Sequence, residues 1–231
     1  MILQKYFRLP GAVALTAVAL TTGCVHPALD DPARLGPFFA PKNHASDVSL
    51  GGVRRVVVLP VWAAPGISPE SAAALDGVLL AALQKENRFE AVTFTRDDCR
   101  RRYLTDALSS SGALPADLMD MLKREFTADA VLFVDLTVFH AYKPISLGLR
   151  GKLATIDGSR LIWTFDNLFA TDDPAVANSA RHFYVNRDRS APADLTPAVL
   201  QSPTKFAAYA AHAMFATLPP VLAPLAKPQA R

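Results

Sequence analysis

Chemistry in this chain would have to start from a short stock of residues. Its 231 positions include 5 histidines and 2 cysteines, Cys24 and Cys99. A nucleophilic hydrolase needs a hydroxyl or thiol beside a base, and a metal enzyme needs several ligands converging on one point. No GxSxG, HExxH, P-loop, GxGxxG or CxxC pattern is present. Asp135 and His140 fall on one predicted strand, but at an odd spacing they should project from opposite faces and share no ligand. Asp166, Asp172 or Asp173 could meet His182 only through the fold, and Asp173 already reads as the cap of a helix opened by Pro174. Arg96, Arg100, Arg101 and Arg102 surround Cys99 and would suit an anionic ligand such as a lipid headgroup or a glycan phosphate. Asp97, Asp98 and Asp106 interrupt that charge, as on a solvated helix face. Trp62 and Trp163 read as core or core-edge aromatics. No residue is assigned a catalytic role, and neither metal nor cofactor is expected.

Stepping outward from Cys24, the preceding residues read "MILQKYFRLPGAVALTAVALTTGC". Lys5 and Arg8 give a positive start, Gly11 to Leu20 an apolar run, and Thr21, Thr22 and Gly23 a small-residue exit. This is the order of a secretory signal. The apolar run is shorter than the roughly 20 residues of a membrane span. Without residues 1–23 the chain keeps 22 basic and 21 acidic residues, a net charge of +1. That balance gives no case for a nucleic-acid partner. The remaining length suffices for one sizeable core. Cys99 has no second thiol to pair with once Cys24 is modified, and reads as a small buried residue.

Residues 25–52 hold Pro27, Pro32, Pro37 and Pro41 with little periodicity, and read as a tether in which "GPFFAP" can dock Phe38 and Phe39 on the domain. "VRRVVVLPVW" (53–62) is a β-branched strand. Ser68 caps and Pro69 opens a helix whose Ala72, Leu75, Leu79 and Leu83 form one stripe. "FEAVTFT" (89–95) alternates as a strand, and Thr95 with Asp98 forms a capping box for the next helix. A helix with Leu118, Met121, Leu122 and Phe126 precedes the strand "DAVLFVDLTVFHAY". Two further strands flank the turn Asp157-Gly158. Helices follow from Pro174, with Val176, Ala180, Phe183 and Tyr184 inward, and from Pro203, with Phe206, Tyr209 or Ala210, Ala213 and Thr217 inward. The pattern predicts an α/β fold. Its mixed sheet has about five strands, built from βαβ units and a late antiparallel hairpin, with helices packed on it. The expected domain is 53–218, the polar gap is 186–201, and the tail 219–231 should fray. Leu79, Val58, Val131, Phe133 and Trp163 are expected in one core.

Two resemblances add to this reading. A cysteine directly after a small residue at the end of the apolar run resembles the lipobox of bacterial lipoproteins, although Thr21 stands where Leu is usual and Leu20 lies one place earlier. The resemblance implies a signal cut before Cys24, a diacylglycerol on its thiol and an acylated amino terminus, which together anchor firmly. Val25 in place of Asp after the cysteine implies the outer membrane of a Gram-negative host. "RRVVVLPV", "ALDGVLLAALQKENRFEAV", "TADAVLFVDLTVF" and "LATIDGSRLIWTFD" resemble the envelope lipoproteins related to the curli-secretion lipoprotein. They are also similar to the amino-terminal domain of TolB and to the lipoprotein activators of penicillin-binding proteins, over residues 53–170. That resemblance implies a periplasm-facing binding or scaffold module, partnered by the membrane through Cys24 and by an envelope protein or cell-wall component. An envelope hydrolase with a dispersed site and a subunit of a secretion or export assembly are the alternatives. A large pore is disfavoured, since no pair of long amphipathic strands stands out.

Overall fold

The β-branched run beginning at Val53 becomes the strand around which the fold is arranged. The computed structural model describes residues 36–187 and 196–221. Strand β1 is His44–Ser46, β2 Arg55–Val58, β3 Trp62–Ala63, β4 Glu90–Thr93, β5 Ala130–His140, β6 Ser146–Thr155 and β7 Leu161–Ala170. They form one seven-stranded sheet in the order β1-β7-β6-β5-β2-β4, with β3 paired to β5. β2 runs parallel to both β4 and β5, while β5, β6 and β7 are antiparallel. The sheet is therefore mixed, as expected. It has seven strands rather than about five because β1 and β3, three and two residues long, are too short to show a period of two.

Helix α1 (Pro69–Glu86) connects β2 to β4, and its Ser68 cap accepts from the Ser71 N–H. Helix α2 (Arg96–Tyr103) and α3 (Leu118–Phe126) lie between β4 and β5. The capping box of Thr95 and Asp98 is formed in both directions. Helices α4 (Pro174–Arg187), α5 (Thr196–Val199) and α6 (Pro203–Phe215) follow the hairpin. The short α5 falls inside the stretch expected to be a polar gap.

The strands bury both faces. On one face Val56, Leu132, Leu149, Trp163, Phe165 and Phe169 pack with α1 and α6, through residues such as Leu79, Leu83, Phe206 and Met214. On the other, Val57, Val131 and Phe133 meet Cys99 of α2 and Leu118, Met121 and Leu122 of α3. The expectation of a single core is corrected here. Successive side chains of β5 point to opposite faces, so Val131 and Phe133 are separated by the sheet from Leu79 and Trp163, while Val58 packs at the margin of the first core.

From residue 36 onward the stretch expected to be tether lies on the domain. The Phe39 N–H donates to Ser179 Oγ at 2.7 Å and its ring meets Phe169 edge-on at 5.4 Å. β1 extends the sheet beyond β7, and buried Leu50 donates its N–H to Pro220 O. Burial of Leu50 and partial burial of Phe39 draw this proline-rich segment inward. Residues 1–35, including Cys24, and 222–231 lie outside the described residues.

A candidate binding pocket at the strand ends

The connections from β2 and β4 leave the sheet in opposite directions. After Val61 the chain passes to α1 on the first face, and after Thr93 it passes to α2, whose Cys99 is buried on the second. Adjacent strands that part in this way open a crevice beyond their carboxyl ends, the position where sheets of this type bind ligands. A cavity of about 420 Å³ occupies that crevice, bordered by Val58, Pro60, Val61, Leu80, Thr93 and Phe94. Its size falls within the range of ligand pockets.

One ion pair braces the walls. Arg96, the first residue of α2, donates through Nε to Asp76 Oδ2 at 2.6 Å and through Nη2 to Asp76 Oδ1 at 3.0 Å. The same Nη2 donates to Val61 O at 2.7 Å, and the Val61 N–H donates to Asp76 Oδ1 at 2.9 Å. Three segments are thereby tied at one point: the exit of β2, the middle of α1 and the start of α2. Asp76 is the one charged residue in the apolar run Ala72–Gln84, and that isolation is the signal in the sequence that marks it.

The four arginines do not assemble into a free cationic patch. Arg96 is committed to Asp76, Arg100 donates to Asp97 Oδ1 at 2.6 Å and lies 3.4 Å from Asp106, Arg101 pairs with Asp98, and Arg102 pairs with Glu125. The interleaved acidic residues, together with α3, neutralise them. Arg96 and Arg100 nonetheless line the cavity. Cys99 beneath them is fully buried, and burial pushes its thiol up to about 11.

Asp135 is also fully buried, and there it holds a loop. Its carboxylate accepts from the Ser110 N–H at 2.9 Å, from Ser110 Oγ at 2.8 Å and from Ser109 Oγ at 3.2 Å. Lys152 Nζ donates to Ser110 O at 2.7 Å from the neighbouring strand. The odd-spacing argument for Asp135 and His140 fails, because the register of β5 against β6 shifts between Leu136 and Val138. Asp135 lies opposite Arg150 and His140 opposite Ser146, an even separation on β6, so the bulge returns both to one face. They remain apart in environment, Asp135 under the serine loop and His140 exposed at the strand end.

Asp166 accepts from Arg150 Nε at 2.8 Å, on the face away from α4, whereas the His182 ring on α4 lies tilted against Phe38 with centroids 4.8 Å apart. The fold does not bring that pair together. Asp173 caps α4 by accepting from the Ala175 N–H at 2.8 Å. Trp163 is a core residue: its ring stacks on Phe165 and its Nε1 donates to Thr217 Oγ1 at 2.9 Å. Among the described residues, no three His, Cys, Asp or Glu side chains cluster as metal ligands, and no helix is long and apolar enough to cross a membrane.

Comparison with known proteins gives likenesses of structure only. No protein-family model and no curated protein matches the chain. Among solved structures, lipoprotein GNA1162 from Neisseria meningitidis aligns with a TM-score of 0.41 at 14% identity, covering 59% of this chain and 99% of that one. The PelC dodecamer from Paraburkholderia phytofirmans aligns at 0.38 and 10% identity, covering 55% and 79%. The LpoB C-terminal domain from Escherichia coli aligns at 0.35 and 18% identity, covering 50% and 81%.

Proposed function

We propose that this chain is a lipoprotein held at the cell envelope through a lipid on Cys24, with its α/β domain serving as a binding module for another envelope component. The cavity at the ends of β2 and β4 is the observation that carries the binding role. Its charged groups are already engaged with one another: Asp76 with Arg96, and Arg100 with Asp97. Such a pocket offers shape and apolar surface to a partner rather than a poised acid or base.

The anchor rests on the signal-like residues 1–23 and on the position of Cys24. In this reading Val25 directs the protein to the outer membrane of a Gram-negative host, facing the periplasm. In the same reading the residues after Cys24 tether the domain to the membrane, within reach of neighbouring envelope components. Confinement within that reach raises the local concentration of neighbouring envelope components, so modest contacts suffice.

Two substitutions test the two halves separately. Cys24→Ser should release the protein from the membrane fraction, and continued firm attachment would refute the anchor. Ala73→Trp, which fills the cavity from the wall formed by α1, should leave attachment intact and abolish complementation of a null strain. Full complementation by that variant would refute the pocket's role in binding.

A further inference from the structure

We infer that the cavity receives an apolar side chain from an extended polypeptide segment of another protein, which adds itself as a strand to the free edge of β4. The inference rests on the binding-module reading and specifies its ligand.

β4 is the last strand on its side of the sheet. The Glu90 N–H donates to Arg54 O at 2.7 Å and the Phe94 N–H to Val58 O at 3.0 Å, so the even-numbered residues of this stretch turn their backbone groups toward β2. Backbone direction alternates along a strand, and the N–H and C=O groups of Ala91 and Thr93 therefore point away from the sheet. Among the described residues nothing bonds them. Natural sheet edges are commonly blunted by charge, proline, a bulge or a covering element. β4 carries one charge, Glu90, and its carboxylate is engaged by Arg55 Nε at 2.8 Å.

The open edge and the cavity adjoin at Thr93. Its side chain lines the cavity, and it pairs with Val58, another lining residue. An added strand would lie roughly 4.8 Å outside β4, with its residue opposite Thr93 projecting to the same face. That residue faces the cavity, whose far wall is Ala73 and Leu80 of α1. An extended backbone satisfies the edge while its side chain fills the cavity, the arrangement of strand-addition recognition. An acyl chain could fill the cavity but has no groups to bond the outward N–H of Ala91 and Thr93. A second copy paired through its own β4 would present Ala91 and Thr93 on that face, too small to fill about 420 Å³.

The test uses the full chain purified in detergent and follows amide hydrogen exchange residue by residue. The probes are blocked hexapeptides alternating valine and threonine, with leucine, phenylalanine or lysine at the third position. The leucine or phenylalanine peptide should slow exchange at Ala91 and Thr93 about tenfold at ten times its dissociation constant. The lysine peptide should not. Thr93→Pro removes an outward N–H without touching a bond to β2, and Ala73→Trp closes the cavity; each should abolish the protection. No protection with either apolar peptide overturns the inference, as does cavity binding by decanoate with the peptides inert. Edge protection that grows with protein concentration alone assigns the site to a second copy and also overturns it. No peptide protection in the wild-type chain, beside a complementation defect in Ala73→Trp, would leave the binding-module reading standing and remove only this one.

Discussion

Arg96 and Asp76 meet with Nε 2.6 Å from Oδ2, joining α2 to α1 across the mouth of the cavity. The Arg96 side chain is only 15% exposed, and without that carboxylate it would keep only its bond to Val61 O. Asp76→Ala would also strip the Val61 N–H of its acceptor. The expected cost is about 1–3 kcal/mol, because a largely buried donor is left unsatisfied. In a domain of this size that corresponds to a melting temperature lower by roughly 3–10 °C. Thermal melting measures it directly, and an unchanged midpoint would mean that the pair does not brace the pocket.

Gly151 lies under the Trp163 ring. A Cβ built there would fall 2.4 Å from Met214 Cε and 2.6 Å from Trp163 Cζ3. Both neighbours are fully buried, so neither can swing clear. Gly151→Ala should destabilise by about 1–3 kcal/mol through overpacking. Denaturant unfolding would show a lower midpoint at an unchanged slope; a wild-type midpoint would contradict the packing of β6 against α6.

The two cores should behave as separate units. Leu79→Ala removes a side chain of the first cluster, which is 4% exposed, and is expected to cost about 2–5 kcal/mol. Val131→Ala acts on the opposite face. With no shared packing partners, the double variant should equal the sum of the singles within about 0.5 kcal/mol. A larger coupling measured by chemical denaturation would place both residues in one core after all.

These contrasts show where the sequence was informative. The stripe of α1, the caps at Ser68 and Thr95, and the turn at Asp157-Gly158 were readable because each depends on residues close in sequence. β1 and β3 were not, since their strand character comes from pairing with β7 and β5. The bulge beyond Leu136 was equally hidden. Nothing in "DAVLFVDLTVFHAY" marks it, yet it reverses the relation of Asp135 to His140. The pocket is half legible: the lone charge of Asp76 is visible, but its partner Arg96, twenty residues on, reads as part of a surface cluster of arginines.

Cys99 offers a chemical check on the second core. Burial is the largest cause raising its thiol to about 11, so the thiolate is scarce at every pH up to 9. The native protein should resist a thiol-specific disulfide reagent at pH 8 and react fully once unfolded in guanidinium. Rapid labelling of the native chain would show that α2 does not seal that face.

If this domain works while fastened through Cys24, the intact mass of the chain extracted from its own membranes reveals the fastening. The polypeptide should begin at Cys24, with a mass increased by a diacylglyceryl group and an amino-terminal acyl chain. A chain beginning at any other residue, or one whose Cys24 thiol is unmodified, would contradict it.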